Sequence, residues 1–309
     1  MAYARSRAKR GTGRSKKRGG LRPRYRKKRP AYRKKGAMTK KRILNLTSTK
    51  KRNTMLQVAN TSSVNGGPVT PGPGPYVVSD VNGSQYSVFM PTAQDLNDNN
   101  GAVNTISNQA QRTATTCFIK GFNERIRIQT SSGIPWFWRR ICFRARNTTF
   151  FLYSTTDTPS STTGPAYTET SNGMQRLYMN LTINQSGQTI GNILGVLFRG
   201  QTGIDWVDPQ TASVDTTRVD LVFDKRYTIK SGNASGTVRD FNIWHRYGKN
   251  LVYDDDENGS TEATRYNSVN DKRGGGDLLI FDIFTPGTGA GTADLLQLTS
   301  TSTLYWHEK

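Results

Sequence analysis

Histidine, cysteine and early acidic residues are what this sequence has least of. Two histidines, His245 and His307, and two cysteines, Cys117 and Cys142, occur in 309 residues. None shows C-x-x-C or H-x-x-x-H spacing, so no structural zinc site is expected, and neither a metal nor a cofactor is assigned. The first residues are basic but lack the apolar stretch of a secretory signal, so export by that route is not expected. The cysteines therefore read as reduced, buried thiols, and N-x-S/T sequons such as Asn147-Thr148-Thr149 read as composition. No apolar run approaches the roughly 20 residues of a spanning helix, which argues against a membrane span. No Asp or Glu precedes Asp80.

That last absence is the reverse side of an excess. Lys and Arg number 44 against 22 Asp and Glu, a net charge of +22. Of the 44, 23 lie between Met1 and Arg52, which leaves 21 basic and 22 acidic residues, about −1, for the rest of the chain. A polycation is attached to a near-neutral body, and a polyanion, by default nucleic acid, is the implied partner. Residues 1–52 are too poor in apolar side chains to offset ordering entropy, and their like charges repel, so a disordered arm is expected. The DNA-binding candidates are Arg5, Arg7, Lys9, Arg10, Arg14, Lys16, Lys17, Arg18, Arg22, Arg24, Tyr25, Arg26, Lys27, Lys28, Arg29, Tyr32, Arg33, Lys34, Lys35, Lys40, Lys41 and Arg42. Tyrosines interleaved with guanidinium groups can stack on unpaired bases, which favours single strands over duplex. The clusters Lys16-Lys17-Arg18, Arg26-Lys27-Lys28-Arg29 and Lys40-Lys41-Arg42 also read as nuclear localisation signals, with host import machinery as their partner.

Residues 53–112 read as a Gly/Pro-rich linker and the start of the body. Val64 to Pro75 (VNGGPVTPGPGP) is compatible with neither a helix nor an interior strand. Tyr86–Pro91 is a short candidate strand. From about Thr113 the chain is rich in β-branched and aromatic residues with period-2 alternation, as in Glu124-Arg125-Ile126-Arg127-Ile128. Candidate strands are Cys117–Thr130, Trp136–Arg146, Met174–Ile183, Ile190–Arg199, Arg218–Ile229, Val238–Arg246, Asp277–Phe284 and Leu295–Trp306. The fold class expected is all-β: a single eight-stranded jelly-roll sandwich over residues 113–309 behind a disordered Arg/Lys-rich arm.

Catalytic patterns are scarce. In Tyr253-Asp254-Asp255-Asp256-Glu257-Asn258-Gly259, the acids and Gly match early positions of a calcium loop. Arg265 stands where the bidentate Glu is needed, so an EF-hand is not expected, and a looser cation site or an acidic loop remain as readings. Gly274-Gly275-Gly276 and Gly287-Thr288-Gly289-Ala290-Gly291 lack the Lys-Ser/Thr and helix of a phosphate-cradling loop and read as turns. In Pro135-Trp136-Phe137-Trp138-Arg139-Arg140, one face is expected to fill the core. The other face, or Arg139 and Arg140, is left for a neighbouring subunit or nucleic acid. No enzyme activity is assigned.

Blocks along nearly the whole chain resemble the capsid proteins of genomoviruses, gemycircularviruses above all. They are Ile43–Met55 (ILNLTSTKKRNTM), Ile134–Arg140 (IPWFWRR), Thr170–Leu177 (TSNGMQRL), Val214–Leu221 (VDTTRVDL), Lys249–Glu257 (KNLVYDDDE) and Ser300–Lys309 (STSTLYWHEK). The resemblance implies a structural protein related to geminivirus coat proteins. About sixty jelly-roll copies would form a T=1 icosahedral shell around a circular single-stranded DNA genome, located in the virion and, during assembly, in the host nucleus. Sixty arms would then carry about 1,400 positive charges, enough to neutralise on the order of one to two kilobases of single strand. The other reading is a non-capsid nucleic-acid binder of ribosomal or chromatin type, for which a basic body would be expected beside the basic tail.

Overall fold

The computed structural model describes residues 38–309. The chain divides into two units, Met1–Ile43 and Leu44–Lys309, and the second holds all the sheets described here. Helix α1 spans Lys40–Thr47. We number the strands of the two main sheets β1 (Thr49–Met55), β2 (Gln85–Phe89), β3 (Thr116–Thr130), β4 (Trp136–Ala145), β5 (Asp220–Ile229), β6 (Val238–Val252), β7 (Asp277–Pro286) and β8 (Leu295–Glu308). The first sheet runs β1-β8-β3-β6, with the short strand Tyr76–Ser79 also paired to β8, and the second runs β5-β4-β7-β2. Every pairing in both is antiparallel. The described chain is thus mostly antiparallel β-structure.

The two sheets bury their faces differently, and the sequence states why. Strand β3 alternates buried and exposed positions almost throughout, as a half-buried strand does. Strand β7 (DLLIFDIFTP) is buried at its first eight positions, because its sheet is covered on both sides. On the outer side lies the segment that follows β4. Phe150 packs against Phe143 (ring centroids 4.8 Å apart) and Phe198 lies under the Arg139 guanidinium at 5.0 Å. Between the sheets one apolar cluster includes Phe89, Ile119, Phe122 and Trp306, and a second includes Ile126, Ile128, Trp136, Trp138, Phe284 and Leu298. Trp138 and Phe284 stack with an interplanar angle of 2°. Each such side chain taken from water contributes about 1.5–3 kcal/mol.

Three expectations need correction. Ile190–Arg199 is not a strand: helix α2 occupies Gly187–Leu197. Ile190, Ile193, Leu194 and Leu197 recur at i, i+3, i+4 and i+7, the helical period, and Ile193 and Leu197 are fully buried. Its first turn is capped from a distance, since the Asp157 carboxylate accepts the Gln188 and Thr189 amides at 2.9 and 2.7 Å. The run Met174–Ile183 breaks up. Only Gly173–Met174 and Arg176–Tyr178 are extended, and Asn180 turns the chain by accepting the Thr182 amide at 3.1 Å. Ordered structure also begins ahead of residue 53, because β1 includes Lys50, Lys51 and Arg52 and pairs along its whole length with β8. Within the Gly/Pro-rich stretch, Pro68–Pro73 forms the edge of a small sheet beside Gln57–Thr61, the only kind of strand its prolines permit.

Candidate nucleic-acid interface

Of the predicted DNA-binding and localisation residues, Arg5 through Lys35 lie outside the described residues. Lys40, Lys41 and Arg42 open α1 with their side chains exposed. Thr39 starts that helix, its carbonyl accepting the Arg42 and Ile43 amides.

A larger basic surface lies on the body, away from Arg139 and Arg140, the body arginines that the sequence singled out. The outer face of the first sheet can be read from its register. Arg127 of β3 lies between Asp240 of β6 and Thr299 of β8, and Arg125 between Asn242 and Thr301. Asn123 lies between Trp244 and Thr303. Further along, Tyr305 pairs with Arg52, and His307 with Lys50 and Phe118. Alternation puts Lys120 and Arg246 on the same face. Lys50, Arg52, Lys120, Arg125, Arg127 and Arg246 therefore share a surface with one carboxylate, Asp240, which Arg127 binds at 2.8 Å.

Aromatic rings lie among these cations. Trp244 is 45% exposed and Phe118 37%. The Trp244 ring is 5.8 Å from Tyr305, and the Phe118 ring 5.9 Å from His307. Gly121 sits beneath Trp244 where the β3–β6 and β3–β8 registers shift. A Cβ there would come within 2.6 Å of the indole and 2.5 Å of the His245 carbonyl, so only glycine lets the ring lie against the sheet. Partial burial, then Lys120 and Lys50 beside it, holds the His307 imidazole below its usual range. The signal for this surface was present in Arg125-Ile126-Arg127-Ile128, whose alternation aims both guanidiniums outward. What hid it was the neutral net charge of the body.

The inner face of the same sheet carries a closed ionic cluster. Arg140 reaches Asp282 at 2.7 and 2.8 Å and also donates to Glu124. Arg176 donates to Glu124 at 2.8 Å and lies 3.6 Å from Asp282. Trp138 Nε1 donates to Asp282 at 2.8 Å and Ser302 Oγ to Glu124 at 3.3 Å. Burial alone would raise the Glu124 carboxyl, but Arg140 and Arg176 outweigh it and bring it down to about 2. His245 enters from β6 with no hydrogen bond on either ring nitrogen. Burial first, then Arg140, pushes it down to about 4. These groups are sealed from solvent and tie β3 to β4 and β7 across the core.

The remaining candidates resolve individually. Trp136 and Trp138 fill the core. Arg139 and Arg140 are both fully buried and committed internally, Arg139 to Asp224 and to the Pro209 and Ala212 carbonyls, so neither is free for a neighbour or for nucleic acid. The acidic run forms a hairpin, Asp256–Asn258 with Thr261–Ala263, turning at Gly259 (φ 64°). Asp255 is taken by a bidentate bond from Arg112 at 2.6 and 3.0 Å. Among the described residues no group of three or more His, Cys, Asp or Glu is placed to hold a metal ion. Among them, too, no helix is long and apolar enough to cross a membrane. Both cysteines are free, buried thiols. No protein-family model matches the chain, and no curated protein does.

Proposed function

We propose that this chain is a viral shell protein of the genomovirus kind, which self-assembles into a small T=1 particle and packages circular single-stranded DNA. The observation that carries the DNA-binding part is the outer face of the first sheet. It is a basic, aromatic surface on the body, and its edge strand β1 continues the Lys50-Lys51-Arg52 end of the basic segment. Exposed rings among cations suit unpaired bases and backbone phosphates together, with no need of sequence readout.

The sheet orders support a jelly roll. A long antiparallel hairpin folded at its middle pairs first with last, second with seventh, third with sixth and fourth with fifth. Rolling it up places the outermost and third pairs in one sheet and the other two in the second. The orders β1-β8-β3-β6 and β5-β4-β7-β2 follow that scheme. Double-sheet rolls of this type recur in viral shells and in lectins. The arm, with its basic clusters, would both hold DNA inside the particle and direct the subunit to the nucleus.

Two measurements test this. Negative-stain microscopy of the purified full-length protein is expected to show uniform spheres, and monomers or filaments alone would sink the shell reading. A variant lacking residues 2–42 is expected to lose nuclease-protected DNA. Retention of that DNA at normal stoichiometry would remove the arm from the packaging role.

A further inference from the structure

At one end of the second sheet, where β4 ends, β5 begins and the Gly274–Gly276 turn leads into β7, a cleft of about 480 Å³ opens. Three guanidinium groups line it, those of Arg144, Arg146 and Arg218, together with one carboxylate, Asp220. Each is held in place by a partner of its own. Arg144 binds Asp220 at 3.1 Å and lies 5.5 Å from the Tyr247 ring. Arg146 donates to the Gly274 carbonyl at 2.8 Å. Arg218 donates to the Gly195 carbonyl at 2.5 Å and pairs with Asp215 at 3.1 Å. The Nε atoms of Arg144 and Arg146 are buried without a hydrogen-bond partner. Arg144 and Arg218 are each balanced by a carboxylate, which leaves Arg146 as the cation of the lining without an ion pair, and guanidinium forks held in place in this way suit a tetrahedral oxyanion.

We propose that this cleft binds a sulfated or phosphorylated saccharide, with the oxyanion among the arginines and sugar hydroxyls on Asp220, Asn147 and Asn270. The lining holds no aromatic ring, so it offers bases no stacking surface, in contrast to the face bearing Trp244 and Tyr305. The Asp220 carboxylate can accept a hydroxyl donor from a sugar. The proposal stands apart from the shell reading, because the cleft belongs to the other sheet.

The test is calorimetric titration of the full-length protein with a monosulfated disaccharide at 150 mM salt, where attraction of a single charge to the basic arm is largely screened. Its desulfated counterpart and an oligo-dT strand are titrated in parallel. Binding near one per chain is expected for the sulfated sugar, about tenfold or more weaker without the sulfate. The double variant R146Q/R218Q should lose at least tenfold for the sulfated sugar and nothing for oligo-dT. The pair R125Q/R127Q on the other sheet should leave binding of the sulfated sugar unchanged, and both variants should melt cooperatively. Indifference of binding to the sulfate, or to R146Q/R218Q, would overturn the proposal. So would a loss of oligo-dT affinity in R146Q/R218Q, which would assign the cleft to DNA.

Discussion

At the residue scale the sealed cluster decides most. Glu124→Gln leaves two buried guanidiniums facing one carboxylate, and a loss of about 3–5 kcal/mol is expected in urea unfolding. His245→Leu removes two unpartnered nitrogens, and at pH 7 it should be neutral or stabilising. Acid exposes the difference. His245 binds its proton at about 4 when folded, against an ordinary 6.5, so the unfolded chain takes up that proton first. Its contribution is intact above 6.5 and is lost towards 4, at about 1.4 kcal/mol per pH unit. Asp277 acts in the opposite sense. Burial raises its carboxyl to about 6, against the bonds from Ser268, so the folded chain holds the extra proton and gains stability as pH falls from 6 towards 3.8. In the shared window the two slopes oppose. Relative to the unaltered protein, stability measured from pH 6 to 4 should therefore fall less on acidification in H245L and fall more in D277N. Parallel slopes in the two variants would refute the assignment.

At the element scale, the outer face of the first sheet should behave as a stacking platform with a charge lattice. Trp244→Ala is expected to weaken oligo-dT binding by about 1–3 kcal/mol, and Arg125→Gln to reduce the slope of log affinity against log salt by about 0.7. Fluorescence titration across a salt series measures both. The long strands were legible because alternation over ten or more residues is hard to mistake. Thr116–Thr130, Trp136–Ala145 and Asp277–Pro286 were read to within two residues. Helix α2 was not, because Ile-, Leu- and Val-rich decamers suit either structure, and what capped the helix, Asp157, lies thirty-one residues ahead of its first bonded amide. The basic face was half legible: its alternation was visible, but which strands lie side by side is a tertiary fact. The arginine cleft was not legible at all, since β4, β5 and the glycine turn meet only in the fold.

At the scale of the whole molecule, the place where arm becomes body moves. Lys51 belonged by composition to the polycation, yet it is buried, 3.1 Å from Glu308 and bonded to the Gln111 carbonyl and Thr113. Glu308 is held low, against its burial, by donors from Thr113, Trp306 and Lys51. Deletion of residues 2–42 should leave the melting temperature of the body nearly unchanged. Deletion of 2–52 removes half of β1 and leaves Glu308 without its cation, so it should lower the melting temperature by several degrees or more. Equal melting temperatures would show that β1 adds nothing to the body.

The pairing of β1 with β8 also fixes an order of events during synthesis. Thr54 and Thr303 bond across a sequence separation of 249, and β8 lies between β1 and β3 in the first sheet. That sheet cannot close until β8 has left the ribosome, and contacts so distant in sequence fold slowly. For the whole of that time the basic segment is already made while the strands meant to be its neighbours are not. If the chain binds nucleic acid as proposed, its basic segment is available to a polyanion before the folded surface exists, and unpaired strand edges are exposed for just as long.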